Sequence, residues 1–174
     1  MNIFFILLFC LFYPLQEVKN AHVTFKISHM SVLSVEGNFE EIDVSISRES
    51  KHVWIAKGAV VAGSIQTGNT SRDETILTEQ YLNVEAYPAM PFEAEIKRNK
   101  EEILMTVNLQ IRGIPVTLNS TLELQNGEFV SKPIIISREE IGLDFGAMDS
   151  LIGDEIELVI HTQIVVEDLL KLEK

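Results

Sequence analysis

The stretch that decides the fold runs from residue 107 to residue 137, VNLQIRGIPVTLNSTLELQNGEFVSKPIIIS. Its apolar residues recur at every second position. Val107, Leu109 and Ile111 fall on one side, with Asn108, Gln110 and Arg112 on the other. After Gly113-Ile114-Pro115 the pattern restarts, setting Val116, Leu118, Leu122 and Leu124 opposite Thr117, Asn119, Thr121 and Glu123. A period of two belongs to a strand with one buried face; a helix would repeat every 3.6 residues. Asn126-Gly127 separates this strand from the next, Phe129–Ser137. Both residues tolerate positive φ, as a two-residue hairpin requires.

The same alternation extends outward in both directions. Val23, Phe25 and Ile27 alternate with Thr24, Lys26 and Ser28; Ile42, Val44 and Ile46 with Asp43, Ser45 and Ser47. Phe92, Ala94 and Ile96 alternate with Glu93, Glu95 and Lys97, and Ile156, Leu158 and Ile160 lie opposite Glu157 and His161. Val53–Gln66 is a long mixed run broken at Gly58 and Gly63, which suits a curved strand or one bent at a bulge. One segment departs from the period. Ser71–Leu82 places Ile76, Leu77 and Tyr81 near helical spacing, with Ser71 as the expected N-cap and Asp73 and Glu74 in the first turn. The expectation is therefore an all-β chain of roughly eight strands with one short helix, arranged as a sandwich or a closed barrel. Periodicity does not choose between the two.

The whole chain narrows the function. Its 174 residues suit one domain. Fourteen Lys and Arg against twenty-six Asp and Glu, a net charge of −12, exclude general nucleic-acid binding and oppose attraction to an anionic membrane. The single cysteine, Cys10, rules out a disulfide framework within the chain. Ile3–Leu15 is a near-continuous apolar run, too short to span a bilayer comfortably but suited to the core of a signal peptide. Residues 1–15 are read as that leader, with a boundary as late as Ala21 as the alternative, and residues 16–174 as one exported domain with no further membrane span. Lipid attachment at Cys10 is disfavoured by the bulk of Phe9 before it.

The motifs of nucleotide binding, zinc proteolysis and serine hydrolysis are absent. His22, His29, His52 and His161 lie far apart and form no ligand pair at short spacing. No catalytic residue, metal site or cofactor is expected. What is specific is an ordered series: Val23–Met30, Val35-Glu36-Gly37-Asn38-Phe39, Gly63–Asn69, Arg72-Asp73, Tyr81–Pro88 and Phe92. It continues with Leu109–Val116, Ser137-Arg138, Ile141-Gly142-Leu143 and Ile152–Ile156. In this order and spacing the chain resembles the YceI family of polyisoprenoid-binding, YceI-like domain proteins, over essentially everything after the leader.

That resemblance implies a lipocalin-like, eight-stranded antiparallel barrel with one short helix, exported to the periplasm and enclosing an apolar pocket for a long isoprenoid chain or similar amphiphile. Thr67-Gly68-Asn69 and Arg72-Asp73 match the family's stretch leading into the helix at the pocket mouth; Arg112-Gly113 matches a hairpin and Gly153-Asp154 a turn. Thr75-Ile76 departs from the His-Leu that many relatives carry, and Ser137–Gly146 also differs. The expected pocket residues are Phe25, Ile27, Phe39, Trp54, Leu109, Ile111 and Leu118, with Trp54 open between core and pocket wall. Thr67, Asn69, Arg72 and Asp73 are expected at the mouth. There Arg72 would meet a headgroup or tie the loop to the rim, and Asp73 would hold the guanidinium or cap the helix. The competing readings are a ligand-free structural or stress-related barrel and, less favoured, an enzyme using the barrel as a reaction chamber. A homodimer stays open.

Overall fold

Two-residue hairpins set the architecture. In the computed structural model, which describes residues 16–29, 33–100, 102–146 and 151–164, Arg112-Gly113 and Asn126-Gly127 all have positive φ. That backbone matches the right-handed twist of the strands it joins. The predicted leader, residues 1–15, lies outside the described residues.

The strands are β1 (Gln16–His29), β2 (Leu33–Phe39), β3 (Ile42–Ser50), β4 (Val53–Val61), β5 (Ile65–Gln66), β6 (Ala89–Asn99), β7 (Glu102–Ile111), β8 (Ile114–Gln125), β9 (Glu128–Ser131), β10 (Ile134–Ser137) and β11 (Ile152–Ile164). The helix is α1 (Thr70–Ile76). Every pairing is antiparallel. From β3 the ladders run through β4, β6, β7, β8 and β9 to β11, then to β1 and back to β3 through Gln16 and Glu17. The ring is thus an eight-stranded barrel, and closure removes the edges an open sheet would expose. β2 and β5 extend the sheet beside the second half of β1, and β10 extends it beside β11.

Three local expectations are corrected. Val53–Gln66 does not continue as one strand: β4 ends at Val61, a 3-10 turn spans Ala62–Ser64, and β5 pairs with β2. The bend lies at Gly63, whereas Gly58 keeps the β3–β4 register through Val44. Gly58 serves close approach: a Cβ there would stand 1.9 Å from the Asp43 carbonyl oxygen. Phe129–Ser137 splits into β9 and β10 at Lys132-Pro133, where proline has no N–H to give a ladder. The helix is shorter than Ser71–Leu82, and its cap is Asn69, whose side chain accepts from the Arg72 N–H at 3.0 Å.

Candidate functional site

The alternation becomes an interior when the ladders are read across the barrel. Ile46, Ala56, Ala94, Val107 and Leu118 are successive cross-strand partners on β3, β4, β6, β7 and β8. All five are buried and all line one cavity of about 640 Å³. Two of the five are alanines, and the room their missing side chains leave belongs to that cavity. One row away, Trp54 pairs with Ile96 and Ile96 with Met105. Ile96 and Met105 still line the cavity, but Trp54, Leu122, Phe129 and Ile134 do not. These four join the buried core cluster; Trp54, Leu122 and Phe129 form the solid part of the barrel, and Ile134 borders a cleft beside it.

The structure brings six of the seven expected pocket residues to the cavity wall: Phe25, Ile27, Phe39, Leu109, Ile111 and Leu118. Phe25 and Phe39 meet there with ring centroids 5.8 Å apart. Trp54 belongs to the core, 1% exposed, with the Arg48 guanidinium 5.7 Å from its ring centre. A bulky aromatic in an alternating run signals burial but does not tell core from wall: Ile96, the partner of Trp54, lines the cavity while Trp54 does not. Leu124, on the apolar face of β8 by pattern, is 52% exposed, although its cross-strand partner Phe129 is buried. The alanine pair and the wall residues of β11, Ile156, Leu158 and Ile160, are not among the pocket residues expected from the sequence. Their signal is register, which one strand does not carry alone.

The polar lining gathers around α1. Asn69, Ser71, Arg72 and Thr75 border the cavity, and Tyr81 and Leu82 follow. Thr67 and Asp73 are not in the wall but fix the residues that are. Asp73 Oδ1 accepts from the Thr67 backbone N–H at 3.0 Å and from the Thr67 hydroxyl. Thr67 in turn accepts Arg72 Nε at its hydroxyl and Arg72 Nη2 at its carbonyl, both at 2.8 Å. The guanidinium is therefore held by Thr67 and not by Asp73, and Asn69 is the cap in place of Asp73. Nη1 of Arg72 has no hydrogen-bond partner among the described residues and sits on a side chain bordering the cavity. Thr75, where many relatives have histidine, turns its hydroxyl back to the Ser71 carbonyl at 2.8 Å.

The rim is completed by residues 138–146. Ile141, Leu143 and Phe145 line the cavity, and the Phe145 ring lies 5.2 Å from that of Tyr81. Arg138 underlies this loop, 3% exposed. It donates to the carbonyls of Gly153, Leu143 and Ile152 at 3.0, 2.9 and 3.5 Å, and its guanidinium carbon lies 5.1 Å from the Phe145 ring centre. Arg112 Nη1 donates to the Gly142 carbonyl. A second cleft of about 490 Å³ opens between β8 and β10 and shares Leu118, Ile136 and Ile141 with the first. Among the described residues lining the main cavity there is no histidine, cysteine or carboxylate.

Comparison with known proteins agrees with this geometry. The sequence profile of the YceI-like domain matches residues 13–164. The UPF0312 protein of Yersinia enterocolitica is 30% identical over 118 residues, 65% of this chain and 62% of that protein. The UPF0312 protein of Yersinia pestis matches to the same extent, so the matched region spans under two thirds of these relatives' length. Among solved structures, Burkholderia cenocepacia BcnA has a TM-score of 0.66 at 17% identity, covering 82% of this chain and 94% of its own. A polyisoprenoid binding domain from Saccharophagus degradans, described as implicated in plant cell wall breakdown, also has a TM-score of 0.66, at 15% identity, covering 86% and 97%. The Campylobacter jejuni YceI protein has a TM-score of 0.60 at 21% identity, covering 82% and 91%. These likenesses establish the barrel. No helix among the described residues is long and apolar enough to cross a membrane.

Proposed function

The chain belongs to the YceI-like domain family, and from that premise we propose that it sequesters or carries a long-chain isoprenoid-type lipid outside the cytoplasm, in the periplasm. The tail lies in the apolar cavity and the polar end at the α1 rim. The observation that carries this reading is the cavity itself: about 640 Å³, walled by aliphatic and aromatic side chains, with its polar atoms concentrated around α1. That volume falls within the range of small-molecule sites, roughly 300–1,000 Å³. Water in such a space finds few hydrogen-bond partners, while each methylene moved into it from water gains about 0.8 kcal/mol. The Saccharophagus neighbour, described as a polyisoprenoid binding domain, supports this choice of ligand class. Export rests on the apolar run Ile3–Leu15.

Organic-solvent extraction of the purified protein, followed by mass spectrometry, tests the reading. A polyprenyl species released in near-stoichiometric amount is the expected result; a clean extract, with no uptake of added polyprenol, favours a ligand-free barrel. The rim has its own test. Arg72→Ala is expected to weaken binding of a prenyl phosphate by about tenfold or more, the worth of one charge-assisted hydrogen bond, and to leave an uncharged polyprenol unaffected. Equal loss for both ligands confines Arg72 to tying the loop through Thr67.

A further inference from the structure

We propose that His22, His161 and Glu128 form a binding site for one divalent transition-metal ion of the zinc class on the outer face of the barrel. The histidines are far apart in sequence, but antiparallel pairing of β1 with β11 sets His22 directly opposite His161. Their rings stack with centroids 4.4 Å apart and planes within 7°. Their cavity-facing neighbours, Ala21 and Val23 on β1 and Ile160 and Thr162 on β11, fix the outward direction of both. Glu128, at the start of β9, brings a carboxylate oxygen to 3.6 Å from His161 Nδ1. One donor atom from each of the three lies within 4.8 Å of the others, and all three side chains are half-buried.

Two imidazoles and a carboxylate make the donor set that zinc uses in open, three-ligand sites. Its bonds of about 2.0–2.2 Å draw donors closer together than they stand here. Stacked rings also aim their lone pairs side by side, so binding must tilt them apart. Both adjustments are side-chain rotations on a face that is only half-buried. Position adds a structural consequence. Among the described residues the β9–β11 ladder has two pairs, His161 with Val130 and Thr162 with Phe129. An ion shared by β1, β11 and β9 would fasten the ring at this junction, whatever occupies the cavity.

Titration of the full chain with Zn²⁺ by calorimetry at neutral pH, with a thermal melt at each ratio, tests the site. One saturable equivalent and a metal-dependent rise in Tm are expected. His161→Ala and His22→Ala should each weaken that site by about tenfold or more, the scale on which even supporting residues of metal sites act. Replacing the exposed His52 with alanine should leave it intact. Glu128→Gln, a near-isosteric change at the edge of the barrel, supplies a folded variant in which affinity falls and the metal-dependent rise in Tm shrinks. Absence of a saturable site in the unmodified chain, or undiminished binding in the His22→Ala/His161→Ala double variant, overturns the proposal.

Discussion

Replacing Ala94 with phenylalanine is expected to cut lipid affinity by at least tenfold while leaving thermal stability unchanged or raised. Ala94 faces Ala56 across the β4–β6 ladder, with Ile46 beyond Ala56 and Val107 on the other side. A benzyl group placed there enters the cavity and occupies room that several methylenes of a tail would use. At about 0.8 kcal/mol per buried methylene, losing two or three of them costs roughly 2 kcal/mol, on the order of thirtyfold in affinity. The melting temperature separates a hollow barrel from a filled one. In a close-packed interior the same substitution would overpack and destabilise by about 1–3 kcal/mol. A lowered Tm with unchanged binding would therefore count against both the cavity and its proposed occupant. Ala56→Phe should behave alike, and the double variant should add little, because both rings compete for one space.

The residues that the sequence made easy to place are those whose partner is the next strand. Leu109, Ile111 and Leu118 alternate within an uninterrupted pattern, and hairpins with positive φ at Arg112, Gly113, Asn126 and Gly127 fix how their strands meet. Trp54 was harder. Its own strand says only that it points inward, and its cross-strand partner Ile96 lines the cavity, so its place in solid core appears only in the folded barrel. The histidine pair was illegible for the same reason, magnified. His22 and His161 meet because the chain's first and last described strands close the ring, and sequence spacing carries no trace of that closure. At the rim the duties differ from those expected. Asn69, not Ser71 or Asp73, caps α1. Thr67 links Arg72 to Asp73, since its hydroxyl can donate to the carboxylate and accept from the guanidinium at once.

Arg138→Ala is expected to remove about 3–5 kcal/mol of folding stability, the cost of breaking a buried network around a charge. Arg138 is 3% exposed, so water does not replace the bonds lost with its side chain. Its three described acceptors, the carbonyls of Leu143, Ile152 and Gly153, lie on the rim loop and on the start of β11, which the single side chain holds together. The backbone supports the same junction. Arg138 N–H donates to the Asp154 carbonyl at 2.8 Å, and Asp154 Oδ1 accepts the Ser137 hydroxyl at 2.9 Å. Alanine would leave those carbonyls without their donor and remove the cation from Phe145, whose ring meets Tyr81 across the mouth. Arg138→Lys should recover only part of the loss, because an ammonium cannot reproduce a planar fork aimed at several acceptors. Urea denaturation should show the midpoint falling at unchanged slope. Ligand release should quicken as well, since the loop carrying Ile141, Leu143 and Phe145 forms one side of the cavity's rim. A loss below about 1 kcal/mol, the scale of one ordinary hydrogen bond, would mean that the rim loop is held by its other contacts and that Arg138 is not its pin.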